Sequence, residues 1–133
     1  MSQPPLLELE QIKVVYNQVI LAVSDISLRV DAGQIVALLG ANGAGKSTTL
    51  KTISGLVSAE RGQLAAGAIR YQGEAITHAP AAQLAARGLV QVLEGRHCFA
   101  HLTVEENLIT GALARRASRA ELAADLARIY DYF

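Results

Sequence analysis

Residues 6–16 place apolar side chains at Leu7, Leu9, Ile12, Val14 and Val15, an uneven alternation that predicts a β-strand ending at Tyr16, before the turn-prone Asn17. Residues 23–30 predict a second strand, stopped by the turn signal Asp31-Ala32-Gly33. Two further runs are apolar without alternation: Gln34-Ile35-Val36-Ala37-Leu38-Leu39 and Leu89-Val90-Gln91-Val92-Leu93. Rich in β-branched residues and apolar throughout, they predict strands buried on both faces, as in a parallel sheet. Between them, residues 47–54 read as a helix capped by Gly55, and residues 57–68 as a loop holding Gly62 and Gly67. Ala68-Ile69-Arg70-Tyr71 reads as a short strand turned by Gln72-Gly73-Glu74, and residues 81–87 as a helix opened by Pro80 and closed by Gly88. Thr103-Val104-Glu105-Glu106 and Ser118-Arg119-Ala120-Glu121 are capping boxes, so a helix starts at each, the first running to about residue 114. In the second, Leu122, Leu126, Ile129, Tyr130 and Phe133 share one face.

The chemistry concentrates in Gly40-Ala41-Asn42-Gly43-Ala44-Gly45-Lys46-Ser47-Thr48, which fits the phosphate-loop pattern of Gly, four residues, then Gly-Lys-Ser. Glycines lack a Cβ, so the backbone takes left-handed angles and turns its N–H groups toward one point. With the start of the following helix, those donors suit a phosphate. Lys46 supplies a compact positive charge for the outer phosphates, Ser47 a hydroxyl for Mg2+, and Thr48 a second hydroxyl near the inner phosphates. A predicted strand precedes the loop and a predicted helix follows it, the order the motif requires. Two strands joined by short turns ahead of it indicate an antiparallel β layer beside an α/β core.

At 133 residues the chain is about one domain long. Twelve Lys and Arg balance twelve Asp and Glu, so there is no broad basic field and no nucleic-acid partner is expected. The single cysteine, Cys98, has no internal disulfide partner, which suits a reducing cytosol. Met1-Ser2-Gln3-Pro4-Pro5 has no signal-peptide character, and no apolar run is long enough to span a bilayer. The reading is of a soluble chain whose membrane role, if any, comes through a partner. His97, Cys98 and His101 do not make a metal site, because a fourth ligand is missing.

The chain resembles the ATP-binding subunit of ABC transporters, and most closely the branch that drives import of branched-chain amino acids. The residues that carry the likeness are Tyr16, Gly40 to Thr48, Ile53-Ser54-Gly55-Leu56, Gly67-Ala68-Ile69-Arg70-Tyr71-Gln72-Gly73, Glu94-Gly95-Arg96 and Leu102-Thr103-Val104-Glu105-Glu106-Asn107-Leu108. The resemblance implies an α/β phosphate-loop NTPase fold of ABC type, a RecA-like core with an antiparallel β layer. Residues of about 6–102 would form the β layer and core, and about 103–133 the start of a helical subdomain. It implies ATP and Mg2+ as cofactors. It makes Gly40, Asn42, Gly43, Ala44, Gly45, Lys46, Ser47 and Thr48 nucleotide-binding residues, with Tyr16 as the aromatic on which adenine stacks. Glu94 stands where most of the superfamily carries a glutamine near the magnesium and the attacking water, and Leu93 replaces the proline of the import branch's Pro-Glu-Gly-Arg setting. Residues 96–101, from Arg96 to His101, would lie beside the groove for a cytoplasmic helix of the transmembrane permease, and a second ATP-binding subunit would complete a dimer. Residues 61–66 read as a surface loop insertion. The Arg115, Arg116, Arg119 and Arg128 cluster reads as a solvated helix face.

The family's Leu-Ser-Gly-Gly-Gln-like signature, its apolar strand ending in Asp-Glu and its later histidine are not found in these 133 residues. The expectation is therefore an N-terminal part of an ABC ATPase, near-inactive alone because phosphoryl transfer depends on positioning and charge stabilisation. A soluble ABC ATPase acting outside transport and a nucleotide-binding module without turnover are the rival readings.

Overall fold

The computed structural model describes residues 4–133; Met1, Ser2 and Gln3, part of the start read above as lacking a signal peptide, lie outside the described residues. The chain forms two compact units, one ending at Ala81 and the other covering Ala82–Phe133.

The first unit is built on a four-stranded antiparallel sheet in the order β2-β1-β3-β4: β1 (Leu7–Tyr16), β2 (Ile20–Val30), β3 (Gly62–Tyr71) and β4 (Glu74–Ala75). The uneven alternation of β1 has a physical cause. Leu9, Ile12 and Val14 are all buried, although a flat strand would turn residues 9 and 12 to opposite faces. A bulge absorbs the extra residue. Gln11 takes a φ of 44°, its N–H donates to Ser27 Oγ at 2.8 Å, and the pairing with both neighbours shifts there. Gly67 makes the bulge possible from the facing strand: at φ +88°, a Cβ on it would meet Glu10 O at 2.4 Å and Gln11 O at 2.6 Å.

That geometry overturns one expectation. Residues 61–66 are not a surface insertion and residues 57–68 are not one loop. Val57–Glu60 form a short 3-10 turn, and β3 runs from Gly62, pairing Gly62 with Tyr16, Leu64 with Val14 and Ala66 with Lys13. Helix α1 (Lys46–Ile53) follows the 40–45 loop, ends at Ser54, and passes to Gly55 in the left-handed conformation expected of a cap. Thr49, Thr52 and Ile53 are its buried residues.

The two non-alternating runs differ from expectation as well. Neither residues 34–39 nor residues 89–93 join a sheet among the described residues. Ile35 is fully exposed and Val92 is 93% exposed. A parallel strand needs neighbouring ladders reached through long crossovers, and among the described residues the only sheet is the antiparallel one.

The second unit is helical: α2 (Ala81–Ala86) leads into it with Leu84 buried, followed by α3 (Val104–Thr110) and α4 (Arg119–Tyr132). Both predicted capping boxes are present in full, Thr103 with Glu106 and Ser118 with Glu121. Helix α3 stops short of residue 114, because Gly111 ends it and a 3-10 turn at Leu113–Arg115 follows. Leu108, Leu122, Leu126 and Ile129 line one apolar groove within this unit, whereas Tyr130 and Phe133 are exposed.

Candidate functional site

The 40–48 segment is a loop wrapped around its own lysine. Lys46 Nζ donates to Gly40 O at 2.5 Å and to Ala41 O at 2.7 Å, so the ammonium is drawn back over the start of the loop. Ala44 N donates to Ala41 O at 3.1 Å and closes the turn between them. Gly45 then enters α1 with φ 90° and ψ 8°. A Cβ at this position would lie 2.8 Å from Ala22 O and 2.9 Å from Val23 Cγ2, so both the backbone angle and the close approach of β2 demand glycine. Asn42, Ala44 and Ser47 are exposed, and Lys46 and Thr48 half-buried.

The start of α1 is electrostatically open. No side chain caps it, and its first turn holds no acidic residue. The first N–H groups of a helix have no intrahelical acceptor and carry the positive end of its dipole. Thr49 anchors the turn from beneath, its N–H and hydroxyl both donating to Gly45 O at 2.8 Å. A left-handed glycine, a retained ammonium and an uncapped helix start form an arrangement suited to an anion.

Tyr16, at the end of β1, brings its phenol to the same turn: Tyr16 OH and Thr48 Oγ1 share a hydrogen bond at 3.4 Å. Glu94 stands in the second unit, where His97 Nε2 lies 2.6 Å from the Glu94 carbonyl and Gly95 takes a φ of 101°. Cys98 is exposed, and the Phe99 and His101 rings meet edge to face at 6.2 Å.

A family model described as "ABC transporter" matches residues 23–132. The chain belongs to the ABC transporter family. Among proteins similar to this ABC chain, the high-affinity branched-chain amino acid transport ATP-binding protein BraG of Pseudomonas aeruginosa is 42% identical over 106 residues, 80% of this chain and 43% of that protein. The lipopolysaccharide export system ATP-binding protein LptB of Haemophilus influenzae is 41% identical over 87 residues, 65% of this chain and 34% of that protein. A solved nucleotide-free ATP-binding cassette from an ABC transporter superposes with a TM-score of 0.70 and 27% identity, over 90% of this chain and 45% of that one. The ABC chain thus spans less than half the length of the relatives it matches, and its fold is the expected α/β phosphate-loop type with an antiparallel β layer.

Sequence reasoning named the loop and missed the role of the Asn107 side chain and the contact between Tyr16 and Thr48. Asn107 grips the backbone of residues 99–103: Phe99 N–H donates to its Oδ1 at 2.8 Å, while its Nδ2 lies 3.0 Å from Phe99 O, 3.2 Å from Leu102 O and 2.9 Å from Thr103 O. Its place one residue after a capping box was the available signal. The contact between Tyr16 and Thr48 joins residues 32 apart in sequence and had no local signal.

Proposed function

We propose that this chain is part of the ATP-binding subunit that energises an ABC importer, with branched-chain or other hydrophobic amino acids as cargo. The observation that carries the reading is the return of Lys46 Nζ to the Gly40 and Ala41 carbonyls beside an uncapped helix start. In this reading the main chain of Gly40, Asn42, Gly43, Ala44 and Gly45 wraps the outer phosphates of ATP, Lys46 neutralises them, and Thr48 meets the inner ones. Tyr16 offers its ring to the adenine. The exposed Ser47 hydroxyl, an oxygen donor at the mouth of the loop, fits a hard divalent cation, and Glu94 is the second candidate ligand. Magnesium held there would neutralise phosphate charge during transfer.

The 42% identity to a branched-chain amino acid transport protein and the Glu94-Gly95-Arg96 sequence support import of such cargo. The likeness to a lipopolysaccharide export protein supports only the broader statement of transport energised by ATP. Permease subunits docking near residues 96–101, a second ATP-binding subunit, and a place at the cytoplasmic face of a membrane belong to the same proposal. So do a β layer and core over residues 6–102 and the opening of a helical subdomain over residues 103–133. No helix of the described residues is long and apolar enough to cross a membrane.

Titration of the chain with ATP and magnesium tests the core of this reading. Saturable binding is expected, weakened at least about tenfold by Lys46→Ala, which removes a charge-assisted set of hydrogen bonds. A chain that does not bind ATP, or a variant that binds it equally well, overturns the proposal.

A further inference from the structure

We propose that Thr48 and Gly62 are positioning residues that hold the Tyr16 ring as a preformed platform for the nucleotide base; this rests on the reading of Tyr16 as the stacking residue. Tyr16 is the last residue of β1 and pairs with Ile20 on one side and Gly62 on the other. The ring leaves the sheet across Gly62. A Cβ built on Gly62 would lie 2.9 Å from Tyr16 Cε1 and 2.4 Å from Val57 Cγ2, so the missing methyl group is the space in which the ring rests. At the other end, the phenol oxygen stands 3.4 Å from Thr48 Oγ1. That is long for a contact between hydroxyls, so the tether biases the ring and does not lock it.

The consequence is mechanical. A half-buried ring supported at its edge and restrained at its tip already presents a flat face, and ordering it on binding costs little further side-chain entropy. The restraint comes from the first turn of α1, two residues after Lys46. The tether of the base platform and the cradle for the phosphates therefore share the start of α1, which biases their spacing before a nucleotide arrives.

Binding of ATP and of inorganic tripolyphosphate to the whole chain separates base recognition from phosphate recognition, since tripolyphosphate has no base. Tyr16→Ala is expected to weaken ATP about tenfold or more and leave tripolyphosphate unchanged. Tyr16→Phe keeps the ring and loses the hydroxyl; it should weaken ATP alone, about threefold. That threefold effect should vanish in a Thr48→Val background, because the partner is already gone. Gly62→Ala, made together with Val57→Ala to clear the 2.4 Å contact, should also weaken ATP and spare tripolyphosphate.

If Tyr16→Ala leaves the ratio of the two affinities unchanged, Tyr16 is not the stacking residue and the proposal falls with that reading. If Tyr16→Ala changes the ratio but Tyr16→Phe and the Gly62 variant do not, stacking stands and the positioning role is overturned. An effect of Tyr16→Phe that persists beside Thr48→Val removes Thr48 from the proposal. Equal weakening of both ligands by the Gly62 variant makes Gly62 structural only.

Discussion

Ile12 and Ile35 are the same residue in two apolar runs that both predict strand, and they end at opposite extremes: Ile12 is 0% exposed and Ile35 100%. Strand β1 finds partners close at hand. It turns into β2 within a few residues and receives β3 on its other edge, so every pairing is antiparallel, and its Leu9, Ile12 and Val14 are buried in the core. The 34–39 run has stronger apolar character and no ladder among the described residues. β-Propensity describes a side chain's fit to a pleated, half-buried surface; it does not provide that surface. Hydrophobicity makes a segment available for a sheet, and pairing makes it a strand.

The comparison breaks most directly at Ile12. Truncating a fully buried isoleucine leaves a cavity, so Ile12→Ala is expected to destabilise the sheet by about 2–5 kcal/mol. Denaturant unfolding followed by amide exchange of β1 and β3 measures it. A cost under about 1 kcal/mol, within the range of ordinary surface changes, would mean that the sheet is not organised around this side chain.

Helix α4 is the intermediate case, an element whose start is written locally and needs no distant partner. Ser118 N–H donates to the Glu121 carboxylate at 2.7 Å, and Glu121 N–H donates back to Ser118 Oγ at 3.3 Å. The backbone N–H of Ser118 first, then its hydroxyl and the nearby Arg115, hold the Glu121 carboxyl below its ordinary value, against opposition from desolvation and Asp125. A carboxyl lowered in the folded state contributes stability above its unfolded pKa and loses it as pH falls through the folded one. The first turn of α4 should therefore loosen on acidification below the ordinary glutamate range, read from amide shifts of residues 118–122. Glu121→Gln should flatten that profile. A loosening of the same size in the variant would assign the acid sensitivity to another group.

What was legible in the sequence follows the same division. The capping boxes, the Gly55 cap, β1 and the 40–48 motif are short-range patterns, and each was found. The start of β3 was hidden because Gly62, Gly67 and Ala65-Ala66 have little strand propensity, and only the facing bulge at Gln11 gives Gly67 its purpose. The tether between Tyr16 and Thr48 depends on how β1 lies against α1, which no local pattern records. Residues 34–39 and 89–93 state a preference in their composition, and pairing, which composition does not state, leaves them outside the sheet among the described residues.

The smallest expected effect is also the sharpest test. Ile35→Lys puts a charge into an apolar, β-branched run, a change that a strand buried on both faces would not tolerate. Here the side chain stands wholly in solvent, so its removal forfeits no packing and the lysine needs no partner. Unfolding stability of this chain should shift by no more than about 0.5 kcal/mol in either direction. Self-association should fall, because a short, uncharged, exposed segment of high β-propensity is a template for pairing between copies and a lysine disrupts it. Sedimentation of the two proteins at matched concentration gives the second readout. A loss of more than about 2 kcal/mol would place Ile35 in a packed core and reverse the contrast with Ile12.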